Sequence, residues 1–242
     1  MVIQENTIPI VNLDVKGLET NVAAYLSQDA VMMKEIIDKK DMHEDNRLAL
    51  SLPSRLISKV FVFRLIYGGS AYSYSVDPDF SEVGYSEKKW QEVIDRYYQK
   101  YMGLYLWHKK IVQEVTKNRK LIMPTGRIFE YEPKTNYRGE TVWPETIIKN
   151  YPVQGTGADL VSIARVDFAR TFWRSKLRGV MVSTVHDSIV CDVPQVEVEN
   201  VKEIFEKVFT NLPKNFAKIF KIEYNLPIFY EVTVGPNMKD LE

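Results

Sequence analysis

The sequence predicts an α+β fold, because its strand-like and helix-like segments are segregated along the chain rather than alternated as in a doubly wound sheet. A β-branched apolar run lies near the beginning (residues 8–13), two more sit side by side late in the chain (180–185 and 188–193), and the interval between them is dominated by apolar residues at helical spacing. With 242 residues, 45% of them hydrophobic, the chain can bury a core without disulfides, as one large domain or two small ones.

Ile8-Pro9-Ile10-Val11-Asn12-Leu13 reads as a buried strand that stops at Asp14. Leu18, Val22, Tyr25 and Leu26 give a helix over 18–28, and a second follows over 30–39. Residues 40–46 are densely charged and read as solvated. Ser51-Leu52-Pro53 offers a cap and an early proline for a helix that runs to Tyr67 and stops at Gly68-Gly69. Residues 72–84 carry turn residues without a period and read as a loop or a short irregular element. Over 86–117, Trp90, Ile94, Tyr97, Tyr101 and Val112 supply apolar faces for one or two helices, with Gly103 as the break. Residues 120–123 and 127–131 flank Pro124-Thr125-Gly126 as a β-hairpin, and 133–144 is polar loop. Pro152 opens a helix that runs to Trp173. The late apolar runs form a tight hairpin of buried strands interrupted by His186-Asp187. A helix over 196–210 and a strand over 227–234 complete the order.

Thirty-two basic and thirty-two acidic residues exclude a broadly basic wrapping protein, while leaving room for a local basic groove. The single cysteine, Cys191, has no internal disulfide partner, which points to a reducing, cytoplasmic setting. No stretch approaches the ~20 apolar residues of a membrane-spanning helix, so no membrane partner is expected. The polar stretch 4–7 and the final Leu241-Glu242 read as the cut ends of an excised domain.

Two aspartates stand at strand ends, Asp14 and Asp187, where an unpaired buried carboxylate is costly. An arginine partner or exposure in a turn would satisfy them. So would a divalent metal, since carboxylates on adjacent strands suit Mg²⁺ and a pair of ions can activate an attacking hydroxyl and stabilise a leaving oxygen. Spacing alone leaves both readings open. Arg55, Lys59, Phe63 and Tyr67 recur every four residues along one helix face. That ladder suits a nucleoside triphosphate, with cations on phosphates and rings beside base and sugar. It equally suits an amphipathic helix whose aromatics pack and whose cations snorkel. No GxxxxGK[ST] segment is present, which excludes a P-loop.

Four patterns, in order, resemble the polymerase domain of the DNA polymerase I-like family, family A. Asp14-Val15-Lys16-Gly17-Leu18-Glu19 is similar to its first palm motif, Arg55-x3-Lys59-x3-Phe63-x3-Tyr67-Gly68 to its fingers helix, Asn150-x3-Gln154-Gly155-x2-Ala158-Asp159 to the segment before the last palm motif, and Val185-His186-Asp187 to that last motif. The resemblance spans residues 14–237, and Leu52-Pro53-Ser54-Arg55 is most similar to phage replicative members. It implies an antiparallel palm sheet and a mainly helical fingers subdomain, with 1–29 as the first part of the palm, 30–144 as fingers with a flanking hairpin, and 145–242 as the second part of the palm. Thumb and exonuclease domains are expected to be absent, supplied by the rest of a longer or split polymerase.

The same resemblance implies template-directed DNA synthesis, with primer-template DNA and deoxynucleoside triphosphates as partners. Asp14, Asp187 and the Val15 carbonyl would hold two Mg²⁺ ions. Arg55, Lys59 and His43 would hold the triphosphate, with Lys59 also giving a proton to the leaving pyrophosphate. Glu19 would exclude a 2′-hydroxyl, Phe63 would disfavour dideoxynucleotides, and Tyr67 would pack beside the templating position. Asn150, Gln154 and His186 would contact the primer-template near the terminal pair, and Arg127 a phosphate. Lys16, Asn21, Thr146 and Ser188 depart from the usual residues; Ser188 replaces a glutamate and removes a third acid beside the metal pair. Without a thumb, weak and salt-sensitive DNA binding is expected. An inactive DNA-binding module and a single-subunit RNA polymerase are the rival readings; Glu19 and Gln154-Gly155 favour the DNA-polymerase branch.

Overall fold

A computed structural model describes residues 9–136 and 138–241. Ile8 of the expected first strand, the stretch 4–7 and Glu242 lie outside the described residues. The elements in order are β1 Ile10–Lys16, α1 Leu18–Ser27, α2 Ala30–Ile37, α3 Met42–Leu50, α4 Arg55–Ile66, α5 Ala71–Val76, a 3-10 turn Pro78–Val83, α6 Glu87–Lys100, α7 Met102–Asn118, β2 Lys120–Ile122, β3 Ile128–Glu130, β4 Lys134–Thr135, β5 Thr141–Val142, α8 Glu145–Arg174, β6 Val180–Val185, β7 Ser188–Asp192, a 3-10 turn Gln195–Glu197, α9 Val198–Phe220 and β8 Phe229–Gly235, followed by a 3-10 turn Met238–Leu241. The class is α+β. Packing divides the chain into two compact units, Met1–Leu18 with Gly157–Glu242, and Glu19–Thr156.

The first unit is built on an antiparallel sheet of order β6-β7-β1-β8. In β1, Val11, Leu13 and Val15 are buried while Asp14 and Lys16 on the opposite face are exposed, the alternation of a strand with one face on a core. That core is completed by helices: Phe168 of α8 stacks on Phe205 of α9 at 4.2 Å between centroids, and Phe209 of α9 meets Tyr230 of β8 at 5.0 Å. Burial of each of the three phenylalanine rings stabilises the unit by ~1.5–3 kcal/mol. The apolar positions of α9 at 201, 205, 208, 212 and 216 keep one stripe inward throughout.

The second unit is mainly helical, and a single carboxylate ties its helices together. Asp29, almost fully buried, caps α2 through Oδ1, which accepts from the Val31 and Met32 amides, while Oδ2 accepts from Gly103 and Leu104 at the start of α7. Four orphan amides of two helix starts are thereby satisfied by one side chain. Beside it, Glu35 accepts from Tyr101 Oη at 2.6 Å and pairs with Lys100 Nζ at 3.0 Å. An aromatic cluster of Phe61, Tyr74, Phe80, Trp90 and Tyr97 packs α4, α5 and α6, with Tyr74 Oη donating to the Phe61 carbonyl.

Several local expectations are corrected. β1 does not stop at Asp14 but runs on to Lys16, paired with β7 as far as Asp14 and with β8 throughout. The stretch 40–46, expected to be solvated, instead leads into α3 Met42–Leu50, which is capped by Asp41 and anchored by buried Asn46 and Leu50. Ser51 is the left-handed residue ending α3, with φ 60°, and Ser54 is the cap of α4, accepting from Ile57 N. The break between α6 and α7 falls at Tyr101. Gly103 lies inside α7 because a Cβ there would sit 2.8 Å from Asp29 Cα. The loop at 72–84 holds α5 and a 3-10 turn, and the one at 133–144 a small hairpin. Pro144, not Pro152, precedes the helical start, its carbonyl accepting from Ile148 N; Pro152 is inside α8. α9 continues past Pro213 because Leu212 and Phe216 are buried. β6 is an edge strand whose Val180, Val182 and Val185 are exposed rather than buried.

Among the described residues no helix is long and apolar enough to cross a membrane. Cys191 is a buried free thiol whose pKa burial pushes up to about 12.

Two stability measurements test this account. Asp29→Ala removes the carboxylate that accepts from four backbone amides and is expected to cost about 2–4 kcal/mol in chemical denaturation; an unchanged midpoint contradicts the double cap. His108 is buried, its Nδ1 3.0 Å from Tyr98 Oη, and burial, then the charge of Lys149, lowers its pKa to about 3. The fold therefore holds it neutral while the unfolded chain protonates it near pH 6.5. Its contribution is complete above that pH and is lost as pH falls, by about tenfold in the folding equilibrium per pH unit. His108→Gln should flatten that slope between pH 6.5 and 5.

Candidate functional site

In the first unit, the sheet register decides where the carboxylates lie. Asp14 of β1 is paired with Ser188 of β7 on one side and Glu231 of β8 on the other. Asp187 is the residue immediately before Ser188, in the two-residue connection His186-Asp187 that closes the β6–β7 hairpin at Val185↔Ser188. Two aspartates 173 positions apart in sequence thus come to one end of the sheet, Asp14 on β1 and Asp187 in the turn that leads into the neighbouring strand β7. Asp14 is exposed and Asp187 half-buried, whereas Val15 is directed into the core. His186 is exposed and takes a left-handed φ of 52°, a conformation that costs a non-glycine residue of order 1–2 kcal/mol.

The donor chemistry of this pair fits a hard divalent ion. Two solvent-accessible carboxylates leave room for water and substrate phosphate, the remaining ligands that Mg²⁺ prefers. Among the described residues no group of three or more His, Cys, Asp or Glu side chains converges as a metal cluster. The serine at 188 accords with that, its hydroxyl donating to the Val185 carbonyl at 2.9 Å. Glu231 pairs instead with Lys16, at 3.0 Å.

In the second unit, α4 carries the cation and aromatic ladder. Arg55 and Lys59 are exposed at its start, and Phe63 and Tyr67 are half-buried toward its end. Lys59 Nζ lies 5.7 Å from the Phe63 ring centroid. The His43 ring, from the first turn of α3, lies 5.7 Å from that of Phe63, so His43 joins the ladder from a second helix. Burial above all, then the positive charge of Arg55, lowers the pKa of His43. Glu19 stands half-buried in the first turn of α1.

Tyr67 Oη accepts from Gln154 Nε2 at 2.5 Å, which joins the end of α4 to α8, and Asn150 lies one turn earlier on α8. Two glycines permit these approaches. Gly68 has φ 86° and a Cβ there would meet Thr146 Cα at 3.1 Å; at Gly155 a Cβ would lie 2.6 Å from the Phe129 ring and 3.2 Å from Arg127 Cδ, both from the β2–β3 hairpin region. Arg127 is thereby set beside Gln154-Gly155 within this unit.

The sequence reading passed over Asp41, which pairs with Arg55 at 2.7 Å. The signal was present: an aspartate followed three residues later by Glu44 is a helix-start pattern.

Comparison with known proteins agrees with these motifs. A family profile described as DNA polymerase family A matches residues 1–240. DNA polymerase I of Treponema pallidum (strain Nichols) is 27% identical over 246 residues, covering 96% of this chain and 23% of that protein. The thermostable DNA polymerase I of Thermus filiformis is 30% identical over 240 residues, covering 95% and 26%. The DNA polymerase of Bacillus phage SP01 is 26% identical over 194 residues, covering 79% and 21%. The chain thus spans roughly a quarter of the length of these relatives. A solved structure, the POL domain of Pol1 from M. smegmatis in complex with DNA primer-template and dNTP, matches with a TM-score of 0.79 at 19% identity, over 98% of this chain and 41% of that one, a likeness of fold.

Gly68→Ala tests the close approach: added volume against backbone at a left-handed φ is expected to destabilise the chain by about 1–3 kcal/mol in denaturant, and a neutral result would contradict it.

Proposed function

The chain belongs to DNA polymerase family A, and on that premise we propose that it carries the catalytic portion of a template-directed DNA polymerase. The observation that most supports this reading is the β1–β7 register, which sets Asp14 beside Ser188 with Asp187 one residue earlier. The compact unit 1–18 with 157–242 is read as palm and the unit 19–156 as mainly fingers; the finer order of palm 1–29, fingers 30–144 and palm 145–242 is part of the same proposal.

In this reading Asp14, Asp187 and the Val15 carbonyl hold two Mg²⁺ ions. When bound, the ions supply activation of a primer 3′-oxygen and stabilisation of the charge on departing pyrophosphate. Arg55 and Lys59 grip the triphosphate from the start of α4, with His43 beside them, and Lys59 supplies a proton to the leaving group. An imidazole with a lowered pKa contributes a neutral donor or acceptor rather than another cation near pH 7.

Glu19 bars a 2′-hydroxyl by its bulk and charge. Phe63 presents no hydroxyl to an incoming sugar, so dideoxynucleotides are poor substrates. Tyr67, held by Gln154, stacks at the templating position. Asn150, Gln154, His186 and Arg127 contact the primer-template, the amides sensing minor-groove acceptors common to correct pairs. The partners are primer-template DNA, deoxynucleoside triphosphates and an N-terminal thumb and exonuclease portion. A cytoplasmic setting is part of the proposal, and Leu52-Pro53-Ser54-Arg55 is the feature that favours a phage replicative member.

Primer extension with Mg²⁺ and four deoxynucleotides tests the proposal, with the chain alone and with a thumb-bearing portion added. Asp14→Asn and Asp187→Asn are each expected to lower extension by about a hundredfold or more with unfolding midpoints unchanged. Glu19→Ala should raise ribonucleotide incorporation relative to deoxynucleotide. Extension by either aspartate variant at the parental rate refutes the metal assignment, and absence of transfer by the parent in both settings refutes the enzyme reading.

A further inference from the structure

We propose that Asp41 is a positioning residue for the triphosphate site: it holds the guanidinium of Arg55 by its Nε edge, so that the Nη donors are directed to phosphate. This deepens the reading of Arg55 given above and rests on it.

The two oxygens of the Asp41 carboxylate do different work. Oδ1 accepts from the Glu44 amide at 3.1 Å and caps α3, while Oδ2 accepts from Arg55 Nε at 2.7 Å. Because the first oxygen is committed to a helix start, the second is fixed relative to backbone, and the head of Arg55 is referenced to α3 as well as to its own helix. Among the described residues the guanidinium makes its hydrogen bond through Nε, leaving the Nη N–H groups to a ligand. A competing lock would engage the Nη fork in a bidentate pair, and that is not the arrangement here.

The surroundings place this pair at a site for an anion. His43, two residues after Asp41, has a buried Nδ1 without a hydrogen-bond partner and lies against Phe63. Lys59 is over the same ring, one turn along α4 from Arg55. The hydrogen bond from Arg55 lowers the Asp41 carboxyl pKa against the opposing effect of burial, so the anchor is ionised near neutrality. A free arginine loses much rotamer entropy when it grips a phosphate; an arginine already held loses less. The carboxylate also repels a nearby polyanion, but its charge is met by the cation it holds.

Substitution can separate capping from positioning. Asparagine is as good an N-cap as aspartate, so Asp41→Asn keeps the acceptor for Glu44 N while removing the charge that holds Nε. Magnesium dATP binding, measured by calorimetric titration, is expected to weaken about fivefold in Asp41→Asn, with a thermal unfolding midpoint close to the parent. Arg55→Ala should weaken it further, and adding Asp41→Asn to Arg55→Ala should weaken it no more, because the two act as one unit. Asp41→Asn binding as tightly as the parent, or more tightly, overturns the inference. So does a loss that persists undiminished in the Arg55→Ala background. A parent that does not bind, or an Arg55→Ala variant that binds like the parent, removes the phosphate role of Arg55 itself, and the inference with it.

Discussion

The register of β1 between β7 and β8 is the constraint on which the sheet and its acidic pair both depend. Val11, Leu13 and Val15 are buried on one face, and Asp14 is exposed on the other. A slip of one residue would turn the whole strand over, placing Asp14 in the core and three apolar side chains in water. Burial of an uncompensated carboxylate costs several kcal/mol, and loss of three apolar anchors adds ~1.5–3 kcal/mol each. The apolar alternation that makes the core thus also fixes the side on which the carboxylate emerges. Since Asp187 directly precedes Ser188, the cross-strand partner of Asp14, stability and site geometry are set by the same pairing.

In the helical unit the corresponding role falls to side chains that end helices. Asp29 joins the starts of α2 and α7, Asp41 and Ser54 cap α3 and α4, and Gly68 lets the chain leave α4 against the backbone of α8. A ladder of residues every fourth position is useful only if its helix is fixed at both ends, because the rows on a helix surface move with its axis. The capped start of α4 carries the cations, and the glycine exit follows Tyr67. The buried aromatic cluster under α4 then prevents it from rolling.

The fold class and the order of elements were legible because long amphipathic segments and β-branched runs carry their own period. The late hairpin was readable from its two apolar runs, and the β2–β3 hairpin from Pro124-Thr125-Gly126. What local rules missed was decided by distant contacts. Nothing near Pro152 or Pro213 indicates that their helices continue; buried Val153 on α8, and Leu212 and Phe216 on α9, outweigh a missing amide donor. Gly103 reads locally as a helix breaker and is instead a gap that admits Asp29. Residues 40–46 read as charged and solvated because Asn46 is the only one of them that the fold buries, and the helix they enter gains its other buried anchor, Leu50, beyond them. At the site, the spacing in α4 was visible, but neither the meeting of Asp14 with the β6–β7 turn nor the Asp41–Arg55 pair has any local signature of partnership. Both are products of tertiary pairing.

Four aspartates show how little residue type alone determines. Asp29 is buried and takes four backbone amides, so its charge is spent on structure. Asp41 divides its oxygens between a helix start and an arginine. Asp14 lies on β1 opposite Ser188, and Asp187 in the turn one residue before it. Attraction for a hard cation requires a carboxylate whose oxygens are not already saturated by amides or a guanidinium and whose position leaves space for water and phosphate. Asp29 fails on both grounds and Asp41 on the first, so neither carboxylate is suited to a cation. In a chain with zero formal net charge the effect of each charge depends on where it is held, and the backbone hydrogen bonds of sheet and helix ends are what hold these aspartates.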